Sequence, residues 1–404
     1  MNVLWGLFGI AVVFGIAFIF SSNRRAIKLQ TIAVGLLIQI FIGFIVLKSE
    51  YGRSKLQELT EIVNSIIGYA NDGINFLFGG LFASEGVGFV FAFQVLPIII
   101  FISAIVSVLY YLGVMQVIIR FIGGLLSLLL GTSKTESLSA AANIFLGQTE
   151  APLVVKPYIA KMTKSELFAV MTGGLASVSG SVLIGYSLLG VPLEYLLAAS
   201  FLAAPAGLII AKIMLPETEK SEIGDDIKME KDTESANVVD AAARGASDGL
   251  KLALNVGAML LAFIALIALF NGFLGWIGSW FNFENLTLEG ILGYVFAPIA
   301  FAIGVPWEEA VQAGGYIGQK LVLNEFVAYS FFGPEIDTLT PKTAMIISFA
   351  LCGFANISSI GILLGGLGGM APSRRGDIAK LGFKAVMAGM LASLLSASIA
   401  GMLF

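Results

Sequence analysis

The 404-residue sequence predicts an all-α membrane protein with eight transmembrane helices, two opposed re-entrant hairpins, interfacial helices and inverted repeats. Three observations predict this class. The chain is 57% hydrophobic and only 12% charged, a membrane composition rather than that of a soluble domain. Its apolar residues come in blocks close to the roughly 20 residues that cross a hydrocarbon core about 30 Å thick as a helix. Two further stretches carry a polar middle between apolar flanks, and they recur in the same order in each half.

The eight blocks fall at 3–20, 31–47, 89–113, 166–190, 195–215, 250–275, 343–370 and 385–404. Their continuous Leu, Ile, Ala and Gly runs lack the alternating polarity of barrel strands. The first block has no basic residue before it and Arg24, Arg25 and Lys28 after it, so it reads as a span that starts outside rather than as a cleaved signal. Lys and Arg collect in cytoplasmic loops. The clusters Arg24, Arg25 and Lys28, then Lys156, Lys161 and Lys164, then Arg374, Arg375, Lys380 and Lys384 all fall on one side if eight crossings start and end outside. The acidic linker 216–248 then also lies inside. The amphipathic stretch 54–75 is expected on the outer surface, and Trp276, Trp280 and Phe281 form an interfacial belt.

Two blocks of 16 residues, 116–131 and 290–305, are short for a span and are expected to lie in the interface or re-enter. Each precedes one of the stretches with a polar middle. The stretch 134–160 carries Gln148, Thr149 and Glu150, and 306–335 carries Asn324 and Glu325. A lipid-facing carboxylate at the bilayer centre costs about 3 kcal/mol, so a re-entrant hairpin with its tip buried in protein is the cheaper arrangement. A Gly- and Ser-rich interrupted span follows each hairpin, then an ordinary span. Glu150 and Glu325 stand 175 residues apart. Basic residues flank the first hairpin and Glu308, Glu309, Glu335 and Asp337 the second, so the copies are expected to enter from opposite sides.

The resulting division is 1–113 for the N-terminal spans, 114–215 for the first repeat, 216–248 for the linker, and 249–404 for a long span and the second repeat. Opposed hairpins followed by broken helices imply a secondary transporter with its site near the midplane. Gln148, Glu150, Asn324, Glu325 and Asn356 offer donors and acceptors for a polar solute. The alternative is that they cap helix ends in the membrane. Gly173, Gly174, Ser177, Ser179 and Gly180 either line a break or permit close helix packing. Phe354, Asn356, Ser358 and Ser359 would open a helix and set an aromatic face beside hydroxyl-seeking groups, a pocket suited to a flat ring with a polyol.

Other classes have less support. The sequence has no histidine, which excludes histidine relays and Ser-His-Asp centres. The single cysteine, Cys352, lies within an expected span and forms no intrachain disulfide. With a net charge of −4 and no basic patch, no nucleic-acid partner is expected. An intramembrane enzyme using Glu150 and Glu325 lacks a nucleophile motif and a metal-ligand cluster; a passive channel is the other rival.

The segments 139-SAAANIFLGQTEAPLVV-155, 324-NEFVAYS-330 and 351-LCGFANISSIGILLGGLG-368 closely resemble those of bacterial concentrative nucleoside transporters, as do 71-NDGINFLFGGL-81 and 374-RRGDIAKLG-382. The resemblance covers almost the whole chain in the same order. It implies a homotrimer in the bacterial inner membrane, each protomer having a scaffold domain and a mobile transport domain that moves like an elevator. It implies further that Gln148, Thr149 and Glu150 face the nucleobase of a uridine-, cytidine- or adenosine-type nucleoside, beside Val182 and Phe354. Glu325, Asn356 and Ser359 would hold the ribose. Sodium, the coupling ion, would lie at Asn143, Thr149 and Ser177 with backbone oxygens of Asn143, Leu146 and Ser177; no other cofactor is implied. Proton coupling is the alternative.

Overall fold

The computed structural model describes residues 2–82, 90–224, 227, 229, 235–280 and 286–404. Among them every regular element is a helix. The chain opens with α1 (Asn2–Ile19), α2 (Leu29–Leu47) and α3 (Glu50–Phe82). In α3 the buried residues Leu56, Thr60, Ile67, Ala70 and Ile74 share one face, which packs on Ile98 and Ile102 and leaves Tyr69, Phe76 and Leu77 exposed. The expected amphipathic stretch 54–75 is thus the middle of a longer helix.

The first half continues with the short α4 (Phe91–Gln94), α5 (Leu96–Tyr111), α6 (Val114–Leu130), α7 (Lys134–Ala142), α8 (Lys164–Ala176), α9 (Gly180–Leu188) and α10 (Leu193–Met214). The second comprises α11 (Val238–Ser279), α12 (Leu288–Ala302), α13 (Trp307–Val322), α14 (Glu325–Glu335), α15 (Pro341–Leu351), α16 (Ser359–Met370) and α17 (Arg375–Leu403). Packing exchanges the halves: α8 packs on α17 as α15 does on α10, and α14 meets α9 as the 3-10 segment Ala151–Lys161 meets α16.

Among the described residues, seven helical stretches are long and apolar enough to cross a membrane. The expected span 343–370 is present as the two shorter helices α15 and α16, separated by 352–358. The chain bends by 116° between α12 and α13, which marks α12 as separate from the hairpin arm that follows it. Two features differ from expectation. The expected linker 216–248 ends early, because α11 begins at Val238 with Asn237 accepting from the Asp240 amide. The second arm of the first hairpin is 3-10 rather than α, since Pro152 and Pro157 remove backbone donors. Trp276 and Trp280 are exposed and in edge contact, whereas Phe281 lies outside the described residues.

Burial separates an inner group from an outer one. The most apolar windows of residues 164–188, α10 and α17 are 89–94% buried, whereas that of α11 is 17%. The inner group carries the first break, and α15, buried from Thr343 to Leu351, brings the second against it. The outer helices α5 and α11 touch through small residues: a Cβ at Gly245 would lie 2.7 Å from the Ser103 carbonyl, and one at Gly249 would lie 2.8 Å from Ile100 Cα.

Residues expected at one membrane face meet one another. Arg374 donates to the Ile159, Ala160 and Met162 carbonyls, and Thr163 donates to Glu217 at 2.7 Å, which gathers the first hairpin base, the linker and the loop before α17. At the other end Lys48 reaches the carbonyl of Phe404 at 3.2 Å, Lys342 reaches Asn2 at 3.2 Å, and Thr340 donates to Glu309 at 2.8 Å.

Candidate functional site

Each hairpin places polar groups in the interior by ending one helix and capping another. In the second hairpin, Leu323 and Asn324 break the chain; the Asn324 side chain accepts from the Val327 amide at 2.8 Å and so starts α14. Capping Asn324 leaves Glu325, at the first helical position, free to point elsewhere. In the first hairpin, α7 starts with a capping box of Ser133 and Glu136 and ends at Asn143. The tip 143–150 then turns through Gly147, whose amide donates to the Glu150 carboxylate at 3.2 Å.

The two breaks face these tips. The first, Ser177–Ser179, lies against the first tip: the Gly180 amide donates to the Phe145 carbonyl at 3.0 Å, and a Cβ at Gly174 would sit 3.0 Å from Gln148 Cβ. In the second, 352–358, Asn356 accepts from the Ser359 amide at 2.9 Å and from the Ser359 hydroxyl at 3.0 Å. The breaks also touch each other, the Phe354 amide donating to the Ser177 carbonyl at 3.2 Å.

Of the groups expected to bind substrate, the structure joins Glu325, Asn356 and Ser359 directly. Asn356 Nδ2 donates to Glu325 Oε2 at 3.1 Å, and its carbonyl oxygen holds Ser359. Gln148 Nε2 reaches Ser359 Oγ at 3.5 Å, a polar contact between the first tip and this group; Gln148 Oε1 is buried with no partner. Val182 is buried and Phe354 half-buried.

Thr149 and Glu150 stand apart from that cluster. They border a cavity of about 530 Å³, also lined by Ser179, Ser181, Tyr110 and Asp248, which is ample for a small polar solute. Its walls come from the part of α5 nearer Tyr111 and the part of α11 nearer Val238, on the linker side.

The groups expected to hold a cation are neutral oxygens. Asn143 is 1% exposed, its Nδ2 donates to the Ser139 carbonyl at 2.9 Å, and its Oδ1 is buried without a partner. Ser177 donates to the Gly173 carbonyl at 3.1 Å, and a Cβ at Gly173 would lie 3.0 Å from Asn143 Nδ2, so Asn143 abuts the last turn before the break. Leu146 is buried nearby, and the Thr149 methyl lies against Gly366 of α16. An orphan amide oxygen at a hairpin tip, beside a helix whose last carbonyls lack helical partners, is a donor set suited to an alkali cation.

Two residues of the cluster are absent from the sequence reading. Tyr186, on α9, is fully buried, donates to Glu325 Oε1 at 3.1 Å and stacks on Tyr329 with ring centroids 4.4 Å apart. Lys320, on α13, is also fully buried. A tyrosine in an apolar block passes for core, but a lysine four residues before Asn324 in a membrane hairpin was a detectable signal.

Comparison with known proteins agrees with this architecture. The family model described as the Na+ dependent nucleoside transporter C-terminus matches residues 195–401, its N-terminal counterpart matches 8–81, and a nucleoside recognition (Gate) model matches 92–192. An uncharacterized transporter, YutK, of Bacillus subtilis is 62% identical over all of both chains. The nucleoside permease NupC of Helicobacter pylori is 49% identical over 99% of this chain and 97% of its own. The mouse sodium/nucleoside cotransporter 1 is 40% identical over 98% of this chain but 63% of its own. Among solved structures, CNTnw in an inward-facing substrate-bound state superposes with a TM-score of 0.94 at 55% identity, covering 100% of this chain and 98% of that one. A double variant of CNTnw in an outward-facing state gives 0.96 at 54%, with the same coverage.

Proposed function

Because the chain belongs to the concentrative nucleoside transporter family, we propose that this multi-pass membrane protein, a transporter and not an enzyme, imports nucleosides by sodium symport. The observation that carries this reading is the convergence of both hairpin tips on both helix breaks, with the Glu325 carboxylate held by Asn356 and Tyr186. A carboxylate and an amide side by side match a vicinal diol, and a sugar lacking one hydroxyl would leave a buried group unpaired. The base would lie toward Gln148, Thr149 and Glu150, beside Val182 and Phe354, and Ser359 would complete the ribose side.

Sodium is assigned to Asn143, Thr149 and Ser177 with neighbouring carbonyls, including that of Leu146, on the strength of the unpartnered Asn143 Oδ1. The cavity on the linker side supports reading this conformation as open to the cytoplasm, on a topology with the basic clusters inside and both termini outside. The heavily buried group, together with both breaks, is the candidate mobile domain, moving like an elevator. The exposed apolar faces of α3 and α11 belong to the scaffold and to a homotrimer interface in the inner membrane.

The test is equilibrium binding on purified protein. Sodium and nucleoside should raise each other's affinity by the same factor. Nucleoside affinity that is equal in sodium and in an inert cation would overturn the sodium assignment; absence of nucleoside binding in both would overturn the function.

A further inference from the structure

The two broken spans end alike but are completed differently. Helices α8 and α15 both run inward and stop at a break, so each presents the carbonyl, partly negative end of its dipole to the protein interior. These ends lie close together: a Cβ on Gly353, in the second break, would sit 3.0 Å from each of the Leu175 and Ala176 carbonyls of α8. Two negative helix ends brought together in a low-dielectric interior call for positive charge at each.

The second half has its own. Lys320 Nζ donates to the Ala350 carbonyl in the last turn of α15 at 2.8 Å and to Ser393 Oγ on α17 at 3.1 Å. Among the described residues no carboxylate oxygen lies within ion-pairing distance of it. Its counterpart 175 residues earlier is Phe145, which brings no charge to Leu175, the counterpart of Ala350. What the first half has instead is oxygen. Ser139, Asn143, Thr172 and Ser177 stand where the second half has Gly314, Gly318, Ile347 and Cys352. Ser139 Oγ, Asn143 Oδ1 and Thr172 Oγ1 are all buried without partners.

We propose that Lys320 is a tethered cation that completes the second break as the free coupling cation completes the first. Lys320 is then a positioning residue. Its ammonium holds the end of α15, and with it the 352–358 segment in which Asn356 orients Glu325 toward the sugar. One half of an ancestral pair of cation sites is permanently filled, and only the other responds to the ion gradient. This inference rests on the sodium reading for the first half but makes a separate demand on the second.

The experiment is calorimetric nucleoside affinity across a sodium series for wild type, Lys320→Met, Lys320→Gln and Lys320→Arg. Removing the ammonium leaves a buried carbonyl unpaired, so both neutral variants should lose roughly tenfold to hundredfold in affinity at low sodium. In Lys320→Gln the new amide oxygen joins the Ala350 carbonyl and Ser393 as ligands, so high sodium should restore binding with a steeper dependence, its Hill coefficient rising from about one toward two. Lys320→Met, lacking an oxygen, should not recover, and Lys320→Arg should stay near wild type. Ser393→Ala, which keeps the lysine, should lose affinity in the same direction by less. Wild-type affinity and steepness in both neutral variants, or equal losses in Lys320→Arg and Lys320→Met, would overturn the proposal. A wild type indifferent to sodium would instead defeat the sodium reading, while the loss in Lys320→Met would still judge the lysine.

Discussion

At the scale of single residues, Glu325 concentrates the chemistry of the site, because both of its oxygens are engaged at 3.1 Å by Tyr186 and Asn356 in a fully enclosed setting. A charge-assisted hydrogen bond to a sugar hydroxyl contributes about 1.5–3 kcal/mol, so Glu325→Gln and Asn356→Ala should each weaken nucleoside binding by one to two powers of ten. Calorimetry on folded variants reads this; near-wild-type affinity in both would assign them to holding the hairpin. Tyr186→Phe keeps the ring stack and removes only an orienting hydroxyl, so its loss should be smaller, about 1 kcal/mol. Ser177→Ala should raise the sodium concentration for half-maximal binding more than it changes nucleoside affinity at saturating sodium. Glu150, Glu325 and Asn356 stood out in the sequence because a carboxylate or amide inside an apolar block is costly in lipid, so each calls for either a solute or a helix end to satisfy it. Tyr186 was not, because the bond that gives it meaning runs to a residue 139 positions away.

At the scale of elements, the first hairpin is anchored by a buried ion pair that local patterning does not reveal. Lys212 near the end of α10 meets Glu136 in the first turn of α7 at 2.6 Å, and also donates to Ser165 at 2.9 Å. Breaking such a pair leaves an uncompensated buried carboxylate, so Lys212→Met should cost about 3–5 kcal/mol. Adding Glu136→Gln keeps the capping acceptor, removes the charge and should restore most of the loss; thermal unfolding of the single and double variants checks both. The hairpins and breaks were readable from polar residues between apolar flanks, and the repeat from the order of those interruptions. The start of α11 was not, since residues 238–248 mix Asp240, Arg244 and Asp248 with small residues and follow directly on the acidic stretch, so they pass for linker. The 3-10 arm 151–161 was hidden for a different reason: its two prolines, Pro152 and Pro157, are also compatible with the turn of a hairpin.

At the scale of the whole molecule, the fold pairs a group that is almost wholly buried with outer helices that present apolar residues to their surroundings, and the candidate site lies between the two breaks. The proposed topology, eight crossings with both ends outside, would put residues 216–248 and 373–380 in the cytoplasm. Single cysteines at Ser221 and Ser373 in a Cys352→Ala background should therefore resist impermeant thiol reagents in intact cells, and rapid labelling of either would reverse the topology. The proton alternative requires a group that titrates during the cycle; without histidine, the candidates near the site reduce mainly to Glu150 and Glu325, both proposed above for substrate recognition. Uptake of radiolabelled nucleoside into proteoliposomes with imposed ion gradients tests whether sodium drives concentrative nucleoside import. An inward sodium gradient should concentrate unaltered nucleoside inside, and its collapse should release the excess. Equal accumulation under a proton gradient without sodium, or mere equilibration under either gradient, would exclude sodium-driven import.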